Sequence, residues 1–203
     1  MVTALTVNYN TPDLLENLLS SFRKFYDIPF LVIDGSEEVN FEKIKEYSNR
    51  FNALIIHFPF NIHHGPGMAY GIRNIKTEQI LLLDSDVEIL RSGFIEDLQN
   101  KLLPESYGIG CVGTVNENGV DAPTGFRYLH PSCALLNTEI VLKYPLPVKH
   151  GAPMIEAMKA NPIVQHEQWV ADDLVHSFKH ESENNNFIVH LWSGTCRIGG
   201  MNL

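Results

Sequence analysis

The sequence predicts an α/β fold, a mostly parallel sheet flanked by helices with a smaller mixed-sheet second half. Three observations carry this. Short β-rich apolar runs alternate with stretches at helical spacing, polar residues follow the ends of those runs, and Gln79-Ile80-Leu81-Leu82-Leu83 is almost wholly apolar, as in a strand buried on both faces.

In chain order, Thr3 to Tyr9 reads as a strand, and Thr11-Pro12-Asp13 opens a helix carrying Leu14, Leu15, Leu18, Leu19 and Phe22 on one face. A second strand, Phe30 to Ile33, ends on Asp34. A helix over Phe41 to Phe51 and a strand over Ala53 to His57 follow. Gly65-Pro66-Gly67 starts a helix to about Ile75, and the apolar run from Gln79 stops at Asp84-Ser85-Asp86. In the second half, Ile109 to Val115 and Arg127 to Leu136 read as strands, with a turn at Asn116-Glu117-Asn118-Gly119 between them. Helices are expected over Thr138 to Lys143, Met154 to Ala160 and Val170 to Glu181, and a last strand over Phe187 to Leu191.

The length of 203 residues suits a single domain over 1–203, with 1–86 as a nucleotide-binding half and 87–203 as an acceptor and catalytic half. The 44% apolar and 19% charged content is that of an ordered globular chain. A net charge of −9 argues against nucleic acid as a partner, because phosphate binding draws on clustered Lys and Arg; an anionic ligand needs a cation beside it. Cys111, Cys133 and Cys196 lack CxxC spacing and read as thiols of a reducing compartment. The amino terminus has no basic segment of a secretory leader, and no apolar stretch reaches the ~18 residues of a membrane span. The expected location is cytoplasmic, compatible with docking to a membrane-borne acceptor.

Ligands of open α/β sheets bind beyond the carboxyl ends of the strands, where Asn8, Asp34 and Asp84 all fall. Asp84 and Asp86, one residue apart after a buried strand, make a hard oxygen site for Mg²⁺ or Mn²⁺ bridging the phosphates of a nucleotide. Asp34-Gly35-Ser36 reads either as a turn or as a carboxylate accepting the imide N–H of uracil or thymine. Asn61 to Ile72, NIHHGPGMAYGI, is a glycine-rich approach to a helix whose amides face diphosphate or sugar, with neither the Walker nor the dinucleotide spacing. His63 and His64 read equally as loop histidines or as ligand contacts. Of Asp172 and Asp173, adjacent and so unable to share one helix face, one is expected to point into the cleft as general base or to sit as a helix N-terminal acid. His190 reads as a core histidine or as a Mn²⁺ ligand. His57 and the remaining histidines show no metal-ligand spacing.

Taken in order, these segments resemble the family 2 glycosyltransferases of the GT-A fold, whose sheet is Rossmann-like. Val7-Asn8-Tyr9-Asn10-Thr11 is similar to the family's opening strand end, and Phe30 to Ser36 to the next strand with its base-binding aspartate. Asn61 to Ile72 is similar to the N-x-G-f-G-x-G-x-N-x-G-I stretch of rhamnosyltransferase-like members, and Asp84-Ser85-Asp86 stands where the D-x-D belongs. His130-Pro131-Ser132-Cys133-Ala134-Leu135-Leu136 resembles the acceptor-side segment, Asp172-Asp173 with Lys179 the Glu-Asp helix, and His190-Leu191-Trp192-Ser193-Gly194 the carboxyl-terminal histidine segment. This chain departs in having His63 for a glycine, Met68 and Ala69 where polar residues are common, and Asp172 for Glu.

The resemblance implies a metal-dependent, inverting hexosyltransferase-type glycosyltransferase. It would move a sugar, UDP-hexose or deoxyhexose being favoured, from a nucleotide diphosphate donor to a hydroxyl of a glycan or other acceptor. Asp86, Asp84 and His190 would hold Mn²⁺ or Mg²⁺, and Asp173, with Asp172 beside it, would be the base. Asn8, Tyr9, Asn10, Asp34, Gly65, Arg73, Asp84 and Ser85 would contact the nucleotide. The rivals are a sugar-nucleotide pyrophosphorylase, which should carry a G-x-G-T-R-like loop where this chain has Asn8-Tyr9-Asn10-Thr11, and a non-catalytic nucleotide-sugar or glycan-binding module.

Overall fold

The structure, a computed structural model, describes residues 1–120, 122–149, 151–160, 175–177 and 187–190. The first half alternates as expected: β1 (Val2–Asn8), α1 (Pro12–Arg23), β2 (Phe30–Asp34), α2 (Glu38–Arg50), β3 (Leu54–His57), α3 (His64–Asn74) and β4 (Gln79–Leu83). α1 starts at Pro12, whose missing N–H costs nothing in a first turn, and buries Leu14, Leu15, Leu18, Leu19 and Phe22 at helical spacing. It stops at Arg23, whose guanidinium donates to the carbonyls of Tyr26, Ile28, Phe51 and Asn52 and so ties the end of α1 to the end of α2.

The second half contains β5 (Val87–Ile89), α4 (Phe94–Lys101), β6 (Gly108–Val115), β7 (Phe126–Asn137), α5 (Thr138–Val141), α6 (Ile155–Ala160), β8 (Val175–Ser177) and β9 (Ile188–His190). The sequence reading assigns no element between Asp86 and Gly108, where β5 and α4 lie. β6 and β7 extend the main sheet, whose order is β3-β2-β1-β4-β7-β6. A separate small sheet, β5-β9-β8, pairs β5 with β9 antiparallel and β8 with β9 parallel. Of the helix expected over Val170 to Glu181, residues 175–177 are described and are strand, paired with Ile188–His190. A run this short has no periodicity of its own to separate strand from helix, and the neighbouring strand decides it.

The four strands β3, β2, β1 and β4 are parallel, and β7 runs antiparallel to β4. The chain winds outward from β1 to β3, and α3 then carries it back to β4 on the other side of β1. Strand order reverses between β1 and β4, so a crevice opens at their carboxyl ends.

Alternation along the strands sorts the core into two layers. Ala4, Val32, Leu81, Leu83 and Leu135 pack with α1 and α4; Leu5, Ile33, Ile80, Leu82 and Leu136 pack with Met68 and Ile72 of α3. α3 lies very close to β1, since a Cβ on Gly67 would meet Val7 at 2.8 Å and one on Gly71 would meet Leu5 at 2.5 Å. These glycines, one turn apart, are thus accounted for by helix-to-strand contact, which holds the amino end of α3 over the crevice. Among the described residues no helix is long and apolar enough to cross a membrane.

Candidate active site

Asn8, Asp34 and His57 end β1, β2 and β3 in one register, so the three side chains form a row across the sheet edge. Asp34 is 0% exposed. Its Oδ1 accepts from Asn8 Nδ2 at 2.9 Å and Ser36 Oγ at 2.7 Å, and its Oδ2 from Ser36 N at 3.2 Å and, with the ring proton on that atom, from His57 Nδ1 at 2.8 Å. Thr11 Oγ1 donates to Asn8 Oδ1 at 2.8 Å, and the Asn10 amide to Ser36 Oγ at 2.7 Å. Asn10 has a left-handed backbone (φ 55°), which its short polar side chain tolerates, and Asn10 Oδ1 accepts from Glu37 N and Asn40 Nδ2. Phe41 of α2 stacks on the His57 ring, centroids 3.7 Å and planes 20° apart.

At the other end of the crevice, Asp84 follows β4 and Asp86 precedes Val87, the first residue of β5. Val87 pairs with His190 in β9, and this small sheet is what carries His190 to the aspartates. His190 Nε2 lies 3.1 Å from Asp86 Oδ1 and 3.5 Å from Asp84 Oδ2; the side chains are 3%, 6% and 14% exposed for His190, Asp86 and Asp84. One ligand atom from each falls within 4.8 Å of the others. His64, the first residue of α3, adds Nε2 at 3.1 Å from Asp84 Oδ1. Burial pushes the Asp84 carboxyl up, but the His64 hydrogen bond and charge, with His190 and His130 nearby, outweigh it and hold Asp84 below the usual carboxylate range. Burial pushes His190 down, and the Asp86 hydrogen bond with the two carboxylate charges more than restores it, leaving the imidazole above its ordinary value.

His130 reaches this cluster because β7 breaks stride there. Gly110 pairs with Ala134 but Val112 pairs with Leu129, so residues 130–133 of β7 stand opposite Cys111 alone. Pro131, which has no N–H for the ladder, sits in that excess. The Ser132 amide donates to His130 Nδ1 at 3.1 Å, and the His130 ring lies 5.7 Å from the His190 ring. Beside it opens a cavity of about 500 Å³ lined by Cys111, Val112, Gly113, Thr114, Tyr128 and His130 among others.

The structure thus gathers Asn8, Asn10 and Asp34 at one end and Asp84, Asp86 and His190 at the other, with Tyr9 following β1 and Ser85 buried between the aspartates. Gly65 is buried where the chain crosses the start of α3: a Cβ there would meet the Lys149 carbonyl at 2.4 Å, so this position is required by packing. Arg73 is not brought to the site. It is exposed in the last turn of α3, nine residues and about 14 Å of helix from His64. Asp172 and Asp173 lie outside the described residues. Sequence reasoning missed His57 and left His64 undecided; the strand-end argument that found Asn8 and Asp34 applies equally to His57, the last residue of β3.

The fold is shared with solved glycosyltransferases at low identity. A mannosyltransferase from Pyrobaculum calidifontis, solved with GDP-Man and Mn²⁺, superposes with a TM-score of 0.63 at 14% identity over 84% of this chain and 54% of that one. The galactosyltransferase LgtC, solved with donor and acceptor sugar analogs, gives 0.62 at 12% identity over 95% and 88%. S. aureus TarS 1-349 with UDP-GlcNAc gives 0.56 at 19% identity over 78% and 52%. The chain spans about half the length of the Pyrobaculum and TarS chains. These likenesses establish the GT-A fold. No curated protein matches the sequence. The model of glycosyl transferase family 2 matches residues 3–162, the stretch holding both Asn8-Asp34-His57 and Asp84-Ser85-Asp86, and the chain belongs to that family.

Proposed function

We propose that this chain is a metal-dependent, inverting glycosyltransferase of the hexosyltransferase type, transferring a sugar from a nucleotide diphosphate donor to a hydroxyl of a glycan or other carbohydrate acceptor. The observation that carries the reading is the buried Asp84, Asp86 and His190 group at the switch point of the sheet. Two carboxylates and an imidazole suit Mn²⁺ or Mg²⁺, the nitrogen favouring Mn²⁺. Such an ion, when bound, neutralises the diphosphate leaving group. UDP-hexose or deoxyhexose is the favoured donor, because acceptors at the ends of β2 and β3 suit a base with an imide N–H.

The residues divide the work. Asp86, Asp84 and His190 hold the cation, and His64 orients Asp84. The row of Asn8, Asp34 and His57, with Tyr9 and Asn10, receives the nucleoside, while the cavity beside His130 takes the sugars. The order along the sheet edge, cation at β4 and nucleoside at β1 to β3, is the order of groups along a nucleoside diphosphate. Asp173 accepts the proton of the acceptor hydroxyl as that oxygen attacks the anomeric carbon from the face opposite the diphosphate.

The test is turnover of a panel of nucleotide sugars by protein treated with a chelator, with and without added Mn²⁺, following nucleoside diphosphate release. Release only with metal is expected, and metal-independent release sinks the metal assignment. Asp173→Asn should keep donor binding by calorimetry and lose transfer; full activity in that variant moves the base elsewhere.

A further inference from the structure

We propose that His57 is the side chain that reads the nucleobase and that Asp34 is the residue that positions it; this rests on the nucleotide-sugar reading of the cleft. An ionised carboxylate offers about four acceptor positions. At Asp34 four protein donors occupy them: Asn8 Nδ2, Ser36 Oγ, Ser36 N and His57 Nδ1. The group is 0% exposed. A base imide bonding directly to Asp34 must first displace one of these donors and leave it buried and unpaired.

His57, one strand over in the same register, has the opposite character. Its side chain is 18% exposed. With the Nδ1 proton directed at Asp34, the neutral ring carries its lone pair on Nε2. Phe41, stacked at 3.7 Å, holds the ring plane, and no described residue bonds Nε2. An acceptor fixed in this way at the strand ends pairs with a base that carries a ring N–H, as uracil, thymine and guanine do. It repels the bare ring nitrogen that cytosine or adenine presents at the same edge. The selection is therefore made by an imidazole whose tautomer the buried aspartate sets.

Uracil and cytosine differ at this edge alone, so the experiment is calorimetric titration of the full chain, in Mn²⁺, with uridine diphosphate and with cytidine diphosphate. The wild type should prefer uridine diphosphate by about tenfold or more, the worth of one good hydrogen bond against a repulsive contact. His57→Phe, which keeps a ring on Phe41, should bring the ratio to about one, chiefly by losing uridine diphosphate. Equal weakening of both nucleotides, with the preference retained, marks His57 as merely structural and overturns the proposal. Should His57→Phe not fold, His57→Gln takes its place, and the wild type supplies a direct reading through ¹⁵N spectra of its imidazoles. The His57 Nε2 resonance should move with uridine diphosphate and not with cytidine diphosphate; a resonance that moves with neither overturns the assignment. Failure of the wild type to bind any nucleoside diphosphate rejects the nucleotide-sugar reading itself, whereas binding with an unchanged preference in the variant rejects only the role of His57.

Discussion

The two ends of the crevice hold carboxylates in opposite ways. Asp34 is buried with a protein donor at every acceptor position, including two from Ser36, which lies two residues on in the chain. Asp84 and Asp86 share His190, one imidazole nitrogen facing both. The first arrangement is complete as it stands and shapes its surroundings. The second concentrates two negative charges in a partly desolvated place, where an added cation gains more than it would in water. Completeness at the Asp34 end and surplus charge at the β4 end are what separate the two.

Substitutions at the two ends should therefore fail differently. Asp86→Ala is expected to abolish Mn²⁺-dependent binding of uridine diphosphate in calorimetry, because it removes a ligand that no neighbour replaces. The same change should leave the metal-free melting temperature nearly unchanged, since it relieves the crowding of Asp84 and Asp86. A large drop in metal-free stability would erase the contrast. Asp34→Ala should do the reverse and destabilise the fold by about 3 kcal/mol in urea titration, because the Asn8, Ser36 and His57 donors are left in a buried site with nothing to accept from them. Mn²⁺ binding, followed by electron paramagnetic resonance, should survive in that variant under folding conditions.

A smaller effect probes the join between the ends. His64 on α3 touches Asp84 at 3.1 Å but is not one of the three residues whose ligand atoms lie within 4.8 Å of one another. On the proposed reading it would act on the cation through Asp84, and partners of that kind typically contribute 10- to 100-fold in metal affinity. His64→Ala should weaken Mn²⁺ binding by about tenfold. Loss as complete as that of Asp86→Ala would make His64 a ligand and not an orienting group.

Much of the first half is legible in sequence because its signals are local and agree. Leu14 to Phe22 has helical spacing, the apolar run of β4 ends at Asp84, and strand ends of a parallel sheet converge by topology alone. The site is less legible where it depends on pairing between distant segments. Nothing near Val87 announces that it pairs with His190, yet that pairing is what brings the imidazole to Asp86. The placement of His130 depends on the mismatch between β6 and β7 around Pro131, which only the register reveals. Val175–Ser177 shows the same limit, three residues with no periodicity of their own that are strand because β9 lies beside them. Arg73 looked suitable by charge, but helix length puts it at the wrong end of α3. For α4, Phe94, Ile95 and Leu98 with Glu96 and Asp97 in the first turn and Lys101 in the last form a signal as clear as that of α1, shortened to eight residues.

The smallest expected effect lies on the backbone between the two ends. His63, just before α3, has φ 62° and ψ 159°, a region occupied almost only by glycine, and its side chain is exposed. The strain comes from the Cβ of His63, so it belongs to the residue and not to the turn. His63→Gly should relieve it, and the gain is offset in part by the greater chain entropy that glycine loses on folding. The net expectation is a stabilisation of about 1 kcal/mol, read as a higher urea midpoint at an unchanged slope. Because His63 immediately precedes His64, the same variant also tests whether the strained backbone aims His64 at Asp84. If it does, the more stable protein should bind Mn²⁺ less tightly; if affinity is unchanged, the histidine contributes strain without a return at the cation site, and the contrast between the two ends rests on Asp34 and Asp86 alone.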